Sequence, residues 1–382
     1  MAASKESYVD RTVPKISLAD FDNRIDAIAS DIADAAEKVG FFSIVDHGIA
    51  ATDVDQMFAD SESFFALPSE VKTSVPWNAQ NVGYEFKSQV RPSTGAADQK
   101  ESYQLQFGEN MRDLWIDDKD IYGFRSRSLA FMYQVQTVSE KLMVCLARAL
   151  KFQDNFFVHW HDSSKPNSQS TLRLLHYFAT PETDDGQVYH RAGAHADWVG
   201  VAFSNDCAHM ADQPQGFLTL LFQRPGQSGL EICPGREVVT DFGHGDAWTK
   251  VDFTASTDIV CNIGDLLMSW SDDRFKSTFH RVKAPCEKGD NFGERYSIAY
   301  GCPKRRQLWY NSTNHAFASF FNQPRKDALI QGPKKKYPLV TGGEFTANAM
   351  KMYYAASKAA TESHDQSKAT PNLSSRVVAA TA

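Results

Sequence analysis

Two places in the chain set a histidine and an aspartate two residues apart, His195-Ala196-Asp197 and His244-Gly245-Asp246. Residues i and i+2 of a strand point to the same side, so either pair can offer an imidazole nitrogen and a carboxylate oxygen to one ion. Two histidines and one carboxylate on one face of a transition metal leave coordination positions open. That arrangement suits iron(II) that must also bind a co-substrate and oxygen. The pattern alone is weak, because a chain with 11 His meets it by chance about once. Context separates the two pairs. His244 and Asp246 lie among Asp241, Gly243 and Gly245, which reads as a turn with its polar groups in water.

The elements around His195 are strand-like. From about 171 to 310 the apolar segments are short, β-branched or aromatic, and separated by Gly, Pro and Asp. The segments 217–222, 258–263 and 296–300 are examples, and several such strands at short spacing predict an all-β sandwich or barrel. Upstream, helical and extended patterns alternate. Ile16 and Leu18 alternate with polar residues as a short strand. Ile25, Ile28, Ile32, Ala36 and Val39 recur at three and four residues, one face of a helix that Gly40 stops. Residues 41–45 form a dense apolar strand closed by His47-Gly48, and a helix covers 53–65. Val135, Val138, Leu142, Cys145 and Ala149 mark a long helix over 128–151. Residues 73–126 show no clear period. A helix is expected at 344–357, a disordered tail beyond 360, and a loose polar arm over the first ten residues.

Composition narrows the classes. A chain of 382 residues, 42% hydrophobic and 12% aromatic with 26 Phe, can bury a sizeable core or line an apolar pocket. Its formal net charge of -7 argues against a nucleic-acid-binding surface, and Lys334-Lys335-Lys336 reads as a solvated patch. Six cysteines include no CxxC pair. The N-terminus lacks the apolar stretch of a signal peptide, and no run approaches the roughly eighteen apolar residues of a membrane span. The expectation is a cytoplasmic protein with reduced cysteines, a monomer or weak homo-oligomer, with a small-molecule substrate and neither nucleic-acid nor membrane partner.

The order of residues after Asp197 is more specific. Asn262-Ile263-Gly264-Asp265 is followed by Phe279-His280-Arg281-Val282 and then by Arg295-Tyr296-Ser297. With these segments the chain resembles the isopenicillin N synthase-like branch of the iron(II)/2-oxoglutarate dioxygenases, and is similar to fungal natural-product members. The resemblance extends to Val39-Gly40-Phe41-Phe42, Asp46-His47-Gly48-Ile49, Phe64-Phe65-Ala66-Leu67-Pro68, Lys100-Glu101 and Lys336-Tyr337-Pro338.

The resemblance implies that His195, Asp197 and His280 bind Fe(II), and that Arg295 and Ser297 hold the distal carboxylate of the co-substrate 2-oxoglutarate. Tyr177 matches the family tyrosine near that co-substrate, although the family often has Asn where Leu175 stands. The guanidinium fork of Arg295 suits a carboxylate, and Ser297, two residues on, faces the same way. Dioxygen would be the oxidant, and hydroxylation, desaturation or ring expansion of a small organic molecule in fungal secondary metabolism the outcome. His190 and Arg191 fit two readings, contact with an acidic or carbonyl-bearing substrate or a solvated strand end. His47 reads as structural. His159 and His161 read as a surface loop, and the Asn-Ile-Gly-Asp segment as a strand and turn.

One departure stands out. The family runs from His-x-Asp almost directly into a strand like 218–223, whereas here 201–215 intervene. That stretch fits either a lid or a retained intron. The expected architecture is mainly β with flanking α, a double-stranded β-helix (jelly roll) wrapped by N- and C-terminal helices. Its expected divisions are an α/β region over 10–125, a helix and connector over 126–164, a catalytic core over 165–315, a helical region over 316–360 and a tail over 361–382. Rival classes are an iron oxidase that does not use 2-oxoglutarate, a zinc hydrolase with the same three ligands, and a non-catalytic jelly-roll binding protein.

Overall fold

Gly40 marks the first junction that the sequence cannot build with another residue. Helix α1 (Phe21–Lys38) buries Ile28, Ala29, Ile32, Ala33, Ala35 and Ala36, the stripe expected from the spacing. The chain then turns at Gly40 with φ 75°, where a Cβ would stand 2.2 Å from the carbonyl oxygen of Lys276. Only glycine fits both the left-handed conformation and that approach. It delivers the chain into strand β3 (Phe41–Val45), whose bounds match the expected strand.

This computed structural model describes residues 7–303 apart from 79, 89–97, 165–167, 169, 180–189, 198–215, 228, 236–246, 252–254, 256, 272 and 284–292. These residues belong to one compact unit, Met1–Leu339. The expected helix at 344–357, the tail, His244-Gly245-Asp246, the stretch 201–215 and Lys334 to Pro338 lie outside the described residues, as does the side chain of His190.

Two sheets make the frame. The larger has eight strands in the order β2 (Lys15–Ser17), β3, β11 (Ile259–Ile263), β8 (Gly216–Gln223), β13 (Arg295–Pro303), β6 (Thr171–Tyr177), β5 (Lys100–Gln106) and β4 (Gly83–Phe86). The smaller has five, in the order β1 (Ser7–Tyr8), β10 (Ala247–Lys250), β9 (Leu230–Cys233), β12 (Phe279–Lys283) and β7 (His190–His195). The strands expected near 217–222, 258–263 and 296–300 are β8, β11 and β13. The polar arm is an exception to expectation, because Ser7 and Tyr8 pair in parallel with Ala247 and Trp248.

Alternation gives the large sheet two distinct faces. Leu172, Leu174, Leu218, Leu220, Phe222, Ile298 and Tyr300 share one core with helices α1, α2 (Ala51–Phe65) and α3 (Phe124–Ala149). The long helix, expected over 128–151, starts a turn earlier. Residues of the opposite parity meet the smaller sheet: Leu175 and Tyr177 cluster with Ala192 and Val282, while Phe41 and Val260 cluster with Leu230 and Ile232. Each large apolar side chain so buried contributes roughly 1.5–3 kcal/mol. Two facing sheets with helices on the outer face of the larger form the double-stranded β-helix, and a polar site can occupy the space between them.

Candidate metal centre

The smaller sheet brings two histidines together by register. His195 at the end of β7 is paired with His280 of β12, and their ring centroids are 4.4 Å apart. His195 Nδ1 lies 2.7 Å from the carbonyl oxygen of Gly193, and His280 Nδ1 lies 3.0 Å from that of Thr278. A carbonyl only accepts, so both rings carry their proton on Nδ1 and turn Nε2 inward, as a metal-ligating histidine requires. Phe41 packs its ring edge against His280 at 5.3 Å.

Asp197 completes the set from just beyond the strand, in a bend rather than within β7. Its two oxygens have different work. Oδ2 accepts from Thr219 Oγ1 at 2.7 Å and from Asn262 Nδ2 at 2.5 Å, while Oδ1 lies 3.3 Å from His280 Nε2 and 3.9 Å from His195 Nε2. Each of the three residues thus offers one ligand atom, all within 4.8 Å of one another, a group able to hold a metal ion. Among the described residues it is the one such group of three or more. Burial pushes the Asp197 carboxyl up, but His280, His195 and Asn262 pull harder and hold it well below the usual carboxylate range. It is therefore ionised, as a ligand must be.

The Asn-Ile-Gly-Asp segment, expected as a strand and turn, supplies more than that. Asn262 pairs with Thr219 across β11 and β8, and both side chains end on the same Asp197 oxygen. Gly264 lets the chain pass Gly216, where a Cβ would stand 2.2 Å from a backbone oxygen, and Gly216 itself abuts the backbone of Asp197. Asp197 and Gly216, the described residues on either side of 198–215, are therefore neighbours at the site. Asp265 donates its backbone N–H to Asp197 O at 3.4 Å and opens helix α4 (Asp265–Trp270). Burial, joined by the charge of Asp197, pushes the Asp265 carboxyl up to about 7. Outer partners that orient a ligand typically carry about 10–100-fold of metal affinity or activity. Asn262→Ala is expected to weaken iron binding by such a factor, read from iron retained at equilibrium, with the melting temperature as a control for folding.

A second cluster lies on the larger sheet. Arg295 and Ser297 of β13 face Tyr177 and Leu175 of β6 in register, and the Arg295 guanidinium lies over the Tyr177 ring, 4.8 Å from its centroid. The side chain of Arg295 donates to Gln223 Oε1, to Gln227 O at 3.2 Å and to Ser297 Oγ at 3.4 Å. Arg295 is 1% exposed, and burial pulls its pKa below the ordinary guanidinium value against the effect of Tyr177. No carboxylate pairs with it among the described residues. A buried charge left so is costly.

The remaining expectations separate cleanly. Arg191 is buried, with Nη2 donating to the Gly293 carbonyl. A register irregularity between β7 and β12 makes Ala192 the residue that clusters with Leu175 and Tyr177, since a bulge re-aims side chains. His47 is structural, as expected: its Nδ1 accepts from Ile49 N, and its Nε2 donates to Thr257 O at 2.6 Å. His161 is a correction to the surface-loop reading, being 2% exposed with Nδ1 on Phe157 O. Thr219 carried no sequence signal, because its role appears only once β8 is paired with β11.

The comparisons agree with this geometry. Residues 170–303 match the model of the 2OG-Fe(II) oxygenase superfamily, and 13–122 match that of the non-haem dioxygenase in morphine synthesis N-terminal region. The proline hydroxylase buaE of Petromyces alliaceus is 31% identical over 311 residues, which cover 77% of this chain and 88% of that protein. The 2-oxoglutarate-Fe(II) type oxidoreductase hxnY of Emericella nidulans is 26% identical, covering 87% and 86%. A full-length Neurospora crassa protein, solved in complex with alpha-KG and thymine, superposes with TM-score 0.66 at 25% identity, covering 92% of this chain and 99% of that one. With two histidines and a carboxylate converging in a jelly roll that also buries Arg295, this chain belongs to the 2-oxoglutarate/iron(II) oxygenase superfamily and is a dioxygenase that acts on a small organic substrate.

Proposed function

We propose that His195 Nε2, Asp197 Oδ1 and His280 Nε2 hold the iron, and that Arg295, with Ser297 and Tyr177, holds the distal carboxylate of 2-oxoglutarate. The observation that carries the second assignment is the buried Arg295 guanidinium without a carboxylate partner among the described residues. Bound iron(II), 2-oxoglutarate and dioxygen supply an oxidant for an unactivated C–H bond. The chain's own part is to orient and to exclude water. Thr219 and Asn262 fix which Asp197 oxygen faces the metal, the Gly193 and Thr278 carbonyls fix the histidine tautomers, and Leu175, Ala192 and Val282 close the apolar side.

The relatives are consistent with hydroxylation, desaturation or ring expansion in fungal secondary metabolism, and the molecules named with them, proline for the hydroxylase and thymine in the Neurospora crassa complex, are small and polar. We place the enzyme in the cytoplasm as a monomer or weak homo-oligomer, with catalytic residues 165–315 between an N-terminal region 10–125 with its connector 126–164 and the C-terminal stretches 316–360 and 361–382. No described helix is long and apolar enough to cross a membrane. The test is a survey of small polar substrates with mass detection. An oxidised product should appear with one succinate per turnover, and product formed without succinate would contradict the proposal.

A further inference from the structure

The inner face of the larger sheet carries a polar edge that neither the iron nor the 2-oxoglutarate assignment uses. Arg173 lies on β6 between Thr171 and Leu175, with the parity of Leu175 and Tyr177, the residues that face the smaller sheet. Its height is set by register. Thr171 is level with Gly301 of β13, which is level with Thr219, the residue bonded to Asp197. Leu175 is level with Ser297. Arg173 therefore sits between the level of the metal's support and the level of the Arg295 cluster, two strands from β8. Neighbouring strands are about 4.8 Å apart, so the backbone offset of β6 from β8 is roughly 10 Å.

Two sets of polar atoms on this edge are left over. The half-buried Arg173 guanidinium makes a single hydrogen bond among the described residues, to Asn81 Oδ1 at 3.4 Å, although a guanidinium has five N–H donors. Directly across in β5 stands Gln104, 0% exposed. Its Nε2 donates to Glu85 Oε1 at 2.7 Å and to Ser102 Oγ at 3.3 Å, which fixes the orientation of the amide. Its Oε1 is then a buried acceptor with no donor among the described residues. Side chains directly opposite in an antiparallel pair have Cβ atoms about 5 Å apart, so a donor fork with N–H groups to spare and an unmet acceptor spring from neighbouring positions. A buried acceptor left unmet costs stability unless a ligand meets it.

We propose that Arg173 and Gln104 form the substrate-recognition edge, and that the substrate presents to them a ring amide or imide. Its carbonyl oxygen accepts from the Arg173 guanidinium, and its adjacent N–H donates to Gln104 Oε1. The proposal rests on the dioxygenase reading of the neighbouring site. A cyclic amide fits because its C=O and N–H lie on the same side, matching a donor and an acceptor that are neighbours. A carboxylate fits less well. It has nothing to give Gln104 Oε1, and it would enter the field of Glu85, whose carboxyl is held ionised by Arg173, Ser102 and Ser88 against the upward push of burial.

The test is calorimetry on the anaerobic holoenzyme with iron(II) and 2-oxoglutarate bound. The probes are 2-pyrrolidinone, uracil and succinimide, against cyclopentanone and cyclopentanecarboxylate as the carbonyl-only and anionic controls. Arg173→Met should weaken the ring amides about ten- to a hundredfold, the loss expected for hydrogen bonds from a charged group. Arg173→Lys should recover part of that loss, which separates recognition from misfolding. Gln104→Leu should weaken the ring amides several-fold and leave cyclopentanone unchanged. Failure of every ring amide to bind, equal binding by all variants, or tighter binding of cyclopentanecarboxylate that Arg173→Met abolishes would each overturn the proposal. The visible band of the iron–2-oxoglutarate complex, recorded before each titration, separates the two levels. Its presence with any of those failures sinks only the recognition edge, and its absence from the wild type removes the reading beneath it as well.

Discussion

Replacing His195, Asp197 or His280 singly by Ala is expected to abolish turnover and iron retention. Each substitution removes one of three ligand atoms that lie within 4.8 Å of one another, and among the described residues no fourth protein donor belongs to the group. Losing a ligand must cost more than losing a partner that only orients one, so the drop should exceed about a hundredfold. His244→Ala, at the other His-x-Asp of the chain, should keep most activity. Iron content after gel filtration and succinate formation together check this. The assignment is wrong if His244→Ala is inactive while His195→Ala turns over.

Arg295→Ala is expected to spare iron binding and raise the 2-oxoglutarate requirement. The guanidinium is 1% exposed and makes its hydrogen bonds to Gln223, Gln227 and Ser297, with no acid to neutralise it among the described residues. Removing one partner of a buried, hydrogen-bonded charge pair costs about 2–5 kcal/mol, roughly thirty- to several-thousand-fold in binding. Arg295→Lys should recover part of that, since the charge remains but the two-pronged geometry is lost. Ser297→Ala removes one hydrogen bond to a charged group, nearer about 1.5–3 kcal/mol. Succinate formed against 2-oxoglutarate concentration, at saturating iron, separates the three variants.

What the sequence discloses of this site depends on how each residue is stabilised in the fold. Helix α1 was legible because one face of it is apolar, strand β3 because it is apolar almost throughout, and Gly40 as a residue type that stops a helix; the fold adds that no other residue fits beneath Lys276. Strand β5 was not legible. All seven of its residues are buried, yet Lys100, Ser102, Gln104 and Gln106 of its inner face are polar and bond to one another or to their neighbours inside the site. Periodicity sees apolar faces, so a strand that lines a polar cavity reads as loop. His195, Asp197 and His280 were reachable through motif order, whereas Thr219 and Asn262 needed the pairing of β8 with β11. His161 was misread because its ring packs against Phe217 of β8, a strand remote from it in the chain.

The most direct measurement is an anaerobic titration of the purified protein with iron(II) and then 2-oxoglutarate, followed in the visible range. With His195, Asp197 and His280 holding the iron, binding of the keto acid to it would give a weak charge-transfer band. The account predicts that this band appears in the wild type, is lost in His195→Ala, and needs far more 2-oxoglutarate in Arg295→Ala. Iron bound by the wild type with no band at saturating 2-oxoglutarate would contradict it.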